Sequence, residues 1–423
     1  MKKIKKITLS NGLRVLLAPQ PASLAASVLI LVEAGSEYEV KKLSGVSHFL
    51  EHMMFKGTTN RPQVGQISEE LDALGAQSNA FTGQEYTGYW AKAAAKKLPK
   101  ILDIVCDLYL NPIFDPAEIE KERGVIIEEI NMDEDRLPRK AGELLDKLLY
   151  GDQPAGWDIA GDKETLKKLF KKEISDYRDA RYVMSGTVVV VAGAFHEKKV
   201  IAEIKAAFAK LPQGRAARKL KTIEKQSKPQ VVVHYKDAGQ SHCAIGFRAF
   251  DLFDKRRYTL QVLGNILGGG MSSRLFKRVR EELGAAYYIH ASADLGLDHG
   301  TFDIATGAEH SKTEIVLRSI LEECRLMREE LVPEKELQKA KDYMIGGIVL
   351  GLETADDLAG FYGIQEILTK KLVPPEELIA MIKKVTADDI RAVARDVFRN
   401  DRLNLAVVGP YKDGRSLEKI LKL

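Results

Sequence analysis

The run Ser47-His48-Phe49-Leu50-Glu51-His52-Met53-Met54 sets two imidazoles and a carboxylate on one short stretch of chain. On a helix, residues four apart lie one turn above another, so His48 and His52 can face a single ion while Glu51 stands beside them. Two imidazoles suit zinc, and a neighbouring carboxylate that does not bind the ion is placed to move a proton from water. The H-x-x-E-H order is the reverse of the commoner H-E-x-x-H zinc cluster.

A catalytic zinc takes three protein ligands and leaves one position to water, so this pair needs a third donor. The segment after Pro116 offers Glu118, Glu120, Glu122, Glu128 and Glu129. At about 100° per residue, Ile119, Ile126, Ile127 and Ile130 mark the core side of a helix, with Glu128 roughly opposite. Glu122 and Glu129 flank that core side together, two turns apart. His48, His52 and Glu129 are therefore expected to hold one Zn2+ per chain, with Glu122 supporting them from behind.

The elements that must position these groups read as follows. Ile7 to Leu17 forms two short strands around the Asn11-Gly12 turn, and Ala25 to Val32 is a buried strand. Val64 to Leu74 is a helix ending before Gly75, and Gln77 to Trp90 is an edge strand and hairpin broken by glycines. Leu98 to Leu110 and Pro116 to Tyr150 are helical, and Ser185 to Ala192 is a β-branched strand. Residues 212–229 are polar and basic, the pattern of a linker between domains 1–211 and 230–423.

Beyond the linker the pattern restarts, with strands at Val231 to Tyr235 and His242 to Phe247, a helix at Arg256 to Leu267, and a last strand at Leu403 to Val408. Val188-Val189-Val190-Val191-Ala192-Gly193 is answered by Leu405-Ala406-Val407-Val408-Gly409, a weak internal repeat of half the chain. The second copy has Leu263-Gly264-Asn265-Ile266-Leu267 where the first has its histidines, so only one copy is expected to bind metal.

Composition narrows the function classes. With 423 residues the chain is too long for one core, and 64 basic against 60 acidic side chains leave +4 without a basic arm, which argues against nucleic acid. Cys106, Cys243 and Cys324 have no paired spacing and read as reduced thiols. The basic start Met1 to Ile7 leads into a strand and not an apolar signal core, and Leu24 to Val32 is too short to span a bilayer. The expectation is a cytoplasmic protein without membrane association.

Two residue sets resemble the inverted-zincin peptidases that include pitrilysin, insulin-degrading enzyme and the mitochondrial processing peptidase β subunit, over essentially the full length. One is His48-Phe49-Leu50-Glu51-His52 with Glu129, 77 residues beyond His52, inside Glu122-Arg123-Gly124-Val125-Ile126-Ile127-Glu128-Glu129-Ile130. The other is Gly269-Gly270-Met271-Ser272-Ser273-Arg274-Leu275-Phe276 leading to Val279-Arg280-Glu281-Glu282-Leu283-Gly284-Ala285-Ala286-Tyr287, similar to the family's distal Arg and Tyr.

The resemblance implies an α+β fold of two similar domains, each a mostly antiparallel sheet covered by helices, together half of a pitrilysin-like clamshell. It makes Glu51 the general base of a zinc endopeptidase, gives Glu122 a supporting role, and brings Arg280 and Tyr287 to the substrate near the scissile bond. Peptide or unfolded polypeptide would lie as an added strand along Asn79, Ala80, Phe81 and Thr82. Long members carry four domains, with the zinc in the first and the Arg-Tyr pair in the fourth. A two-domain chain is thus expected to form a homodimer with composite active sites, a heterodimer being the variant. The rival expectations are a non-catalytic or partner-dependent subunit and a specific leader-peptide processing enzyme.

Overall fold

The structure, a computed structural model, describes residues 4–423. Asn11-Gly12 turns the chain between antiparallel β1 (Lys5–Thr8) and β2 (Arg14–Pro19), with Gly12 at φ +90°, where a side chain would be strained. Then follow β3 (Ala25–Val32), α1 (Val46–Met53), α2 (Gln66–Ala73), β4 (Gln77–Thr82), β5 (Thr87–Ala94) and α3 (Leu98–Leu110). Helices α4 (Pro116–Asp135) and α5 (Leu137–Tyr150) precede β6 (Thr187–Gly193). The strands order as β1-β2-β6-β3-β5-β4, and every neighbouring pair except β2 and β6 is antiparallel. The start Met1 to Lys3, expected to lead into a strand, lies outside the described residues.

The second sheet uses β7 (Gln230–Tyr235), β8 (Ser241–Arg248), β9 (Ala286–Leu295), β10 (Gly300–Ala308) and β11 (Leu403–Gly409). Its order β7-β11-β8-β10-β9 repeats β2-β6-β3-β5-β4 place for place, again with one parallel pair, β7 with β11. The fold is α+β, two similar domains of mixed, mostly antiparallel sheet covered by helices. Valine-rich β6 and apolar β3 are buried along almost their whole length because helices cover both faces, which is why they read as continuous apolar runs.

The domain bounds differ from the contiguous halves 1–211 and 230–423. One unit comprises residues 4–130, 158–220 and 349–373; the other comprises 131–157, 221–348 and 374–423. The reason is the second face of each sheet. In the first unit, Leu16, Leu29, Leu31, Val188 and Val190 form an apolar surface that is covered by the helix Ala355–Thr369 through Leu358, Ala359 and Tyr362. In the second, α5 brings Ala141, Leu145 and Leu149 onto Ala244, Ala406 and Val408. A Cβ at Gly246 would stand 2.9 Å from Leu145, so glycine there lets the helix approach. Residues 212–229 carry no regular structure, as expected of a linker, yet Lys219 is buried in ion pairs with Glu37 and Glu85.

The covering helix Ala355–Thr369 is pinned by charge. Glu366 is fully buried and meets Arg14 of β2 at 3.1 Å and Lys6 of β1 at 2.7 Å, while Arg14 also reaches Glu33 at 2.9 Å. Removing Glu366 leaves the buried Arg14 guanidinium with Glu33 as its carboxylate partner and costs it a charged hydrogen bond, so Glu366→Leu is expected to destabilise the first unit by about 2 kcal/mol. Urea unfolding checks this. The double variant Arg14→Met, Glu366→Leu should regain only part of the loss, since it removes the buried pair but also takes Arg14 away from Glu33.

Candidate active site

Helix α1 is built to face two ways. Val46, Phe49, Leu50 and Met53, at i, i+3, i+4 and i+7, are fully buried, which turns His48, Glu51 and His52 toward the opposite side. Its start is held from outside the helix. One Glu39 oxygen accepts the Gly45 N–H at 2.7 Å and the other accepts the Ser47 N–H at 2.8 Å, satisfying donors that a helix start leaves open. Burial pushes the Glu39 carboxyl up to about 8, opposed by these donors and by the Ser47 hydroxyl. Gly45 is at φ +91°, and a Cβ there would lie 2.6 Å from the Ala160 carbonyl oxygen, so only glycine fits.

Helix α4 brings the acids. Ile119 and Ile126 are buried, Glu128 is exposed, and Glu122 and Glu129 lie at the edge facing α1. Arg123 fixes this approach by lying over the Phe49 ring at 5.6 Å and donating to the Leu169 carbonyl at 2.8 Å. Glu122 stands 3.1 Å from His52 Nδ1, and its other oxygen meets Lys56 Nζ at 2.6 Å. A carboxylate at Nδ1 keeps that nitrogen protonated and leaves Nε2 as the donor toward a metal.

Nε2 of His48 and Nε2 of His52 each lie 3.6 Å from Oε2 of Glu129, and one donor atom from each of the three residues falls within 4.8 Å of the others. Bond lengths of about 2.0–2.2 Å in a tetrahedron put neighbouring zinc ligands roughly 3.4 Å apart. The set of two imidazoles and a carboxylate, with His52 oriented by Glu122, therefore fits a catalytic zinc centre that keeps one position open.

Glu51 is outside the donor set. Its carboxylate accepts a hydrogen bond from the Thr82 hydroxyl at 2.6 Å. Burial raises its pKa above the usual carboxylate value, against the Thr82 hydrogen bond and the nearby His52, while Glu129 pushes it further up. A carboxylate poised in this direction is suited to accept a proton near neutral pH.

Thr82 ends β4, the outermost strand of its sheet, whose other neighbour is β5. Gly83 N–H donates to Tyr86 O at 2.8 Å, and the ladder alternates from there. The pairs Thr82/Thr87 and Ala80/Tyr89 are accordingly non-hydrogen-bonded, so the backbone groups of Ala80 and Thr82 point to the open edge. Asn79 Oδ1 accepts the Ala80 N–H at 2.9 Å, covering one edge donor with a local side chain. Phe81 points to the other face, edge-on to Tyr86 at 6.0 Å.

Arg280 and Tyr287 belong to the second unit and meet each other there. Arg280 sits in a π-helical turn, Phe276–Glu282, with its guanidinium 4.8 Å from the Phe276 ring centroid and 5.5 Å from that of Tyr287. Tyr287, near the start of β9, is 73% exposed, so it is not a core aromatic of that strand. Such π turns often mark functional positions, and nothing in the sequence period announced this one.

Sequence reading did not single out Glu39 or Lys56, and it placed Thr82 on the peptide-binding strand without its contact to Glu51. Lys56 lies just past the end of α1, and Glu39 and Thr82 reach α1 only through tertiary folding. Among the described residues, no helix is long and apolar enough to cross a membrane.

Residues 14–163 match the sequence profile of Insulinase (Peptidase family M16), and residues 168–344 match that of the Peptidase M16 inactive domain. An uncharacterized zinc protease of Streptomyces coelicolor is 33% identical over 97% of this chain and 90% of its own length. One from Bacillus subtilis is 32% identical over 96% of this chain and 98% of its own. A protease from Helicobacter pylori superposes with a TM-score of 0.90 at 23% identity, over 96% of this chain and 99% of that one, and so shares the fold. With relatives of that similarity along nearly the whole chain, this protein belongs to peptidase family M16, the insulinase family of zinc proteases.

Proposed function

We propose that the protein is a zinc-dependent endopeptidase that hydrolyses short or unfolded polypeptides held as an added strand along β4. The observation that carries this reading is the convergence of His48, His52 and Glu129 beside a carboxylate, Glu51, that is left over to act as base. Zinc held by these three residues would polarise the scissile carbonyl and acidify a water molecule. Glu51 takes the water's proton and returns it to the departing amine. Glu122 keeps the His52 ring in the orientation that presents Nε2.

An extended peptide can pair with the outward backbone groups of Ala80 and Thr82, displacing the Asn79 side chain from the Ala80 N–H. Backbone pairing selects for extended chain and only loosely for sequence, which favours unfolded substrates. Arg280 and Tyr287 supply donors to the charge that develops on the carbonyl oxygen, provided by the other subunit of a homodimer. The chain works in the cytoplasm on this reading.

The test is a fluorogenic unfolded peptide assayed with purified full-length protein before and after 1,10-phenanthroline. Activity should vanish with the metal and return when zinc is added in a ratio of about one per chain. A rate that survives complete metal removal would refute the reading. Mapping the cuts in a mixed peptide library then separates general degradation, with many sites, from leader processing, with one.

A further inference from the structure

We infer that Thr82 is a positioning residue for the base, joining the strand edge that receives the peptide to the carboxylate that moves the proton. The inference rests on the reading of Glu51 as that base. Thr82 is the residue at which two directions meet. Its side chain points to the α1 face, where Oγ1 donates to Glu51 Oε2 at 2.6 Å. Its backbone N–H and C=O point the other way from β5, to the open edge of the sheet, by the alternation set at Gly83 and Tyr86.

A peptide strand that pairs at Thr82 therefore fixes the backbone of the residue whose hydroxyl fixes Glu51. The neighbouring positions reinforce the geometry. Ala80, two residues earlier, shares the Thr82 face and is packed in the core beside α1, so this face of the strand is anchored. Gly83 turns the chain directly after Thr82.

Glu51 otherwise has rotational freedom that a base can ill use, because a carboxylate a single rotamer away no longer reaches the water. A hydroxyl donating to one oxygen leaves the other oxygen to accept the proton. The contact is made by Oγ1 alone. Serine can reproduce it; valine, with the same shape, cannot.

The test compares Thr82→Val, Thr82→Ser and Glu51→Gln in the zinc-loaded full-length protein, with zinc content and peptide affinity measured alongside turnover. Thr82→Val should lower kcat by about 10- to 100-fold, the range for losing a hydrogen bond to a charged group, with KM within about twofold of the parent. Thr82→Ser should restore kcat to within about threefold. Peptide affinity, read by fluorescence anisotropy in a Glu51→Gln background, should not change on adding Thr82→Val. Thr82→Ala carries the same test should valine disturb the strand. A Thr82→Val enzyme with undiminished kcat, beside an inactive Glu51→Gln enzyme, would overturn the positioning role alone. Zinc or peptide binding lost together with turnover in both Val and Ala variants would replace it with a structural role. An active Glu51→Gln enzyme would overturn the base and this inference together.

Discussion

Glu51→Gln should lower kcat for an unfolded peptide by about three orders of magnitude, within the range attributed to a positioned general base. The substitution keeps the shape of the side chain and an oxygen that can still accept from Thr82 Oγ1. It removes only the capacity to take a proton. Zinc content should stay at the parent level, because Glu51 is not among the three convergent donors. KM should hardly move, since on the proposed reading the peptide pairs with the β4 backbone and not with this carboxylate. Variants of the donors behave differently: His52→Ala or Glu129→Gln should lose zinc and activity together. Parallel zinc analysis and kinetics on the three variants separate base from ligand, and a Glu51→Gln enzyme that has lost its zinc would contradict the assignment.

How far the sequence carries can be seen in particular residues. The pattern at Val46, Phe49, Leu50 and Met53 fixes which way α1 faces, and the isoleucines of α4 place Glu122 and Glu129 at the edge that meets it. Local period suffices there because each helix has one wet and one dry side. The likeness of the β6 and β11 segments announces a repeat, and the structure shows it as two sheets that share a strand order. What escaped is non-local. The helices Leu137–Tyr150 and Ala355–Thr369 each cover the sheet of the other half of the chain, and amphipathic period says that a helix has a partner without saying which. Glu39 is a cap from outside its helix, and Thr82 acts through an alternation that only the ladder register reveals.

The same contrast bears on whether one chain makes a whole active site. Among the described residues, the chain has one His-His-Glu cluster and one Arg280–Tyr287 pair, and the helix Arg257–Gly268 that holds the α1 place in the second repeat carries no ligand. A homodimer with composite sites predicts complementation between two inactive parents. Mixing Glu51→Gln protein with Tyr287→Phe protein generates heterodimers in which the zinc site of the Tyr287→Phe chain meets an intact tyrosine from its partner. The second site in the same heterodimer carries both lesions. Tyr287→Phe keeps the ring near Arg280 and removes only the hydroxyl, whose loss as a donor should cost about 100-fold or more. Random exchange makes half the dimers heterodimeric, each with one good site of two, so the mixture should reach roughly a quarter of wild-type activity. Differently tagged subunits, copurified after mixing, establish that exchange has occurred. If the copurified heterodimer stays at the level of its parents, each chain completes its own site, and Arg280 and Tyr287 lose their role in the partner's.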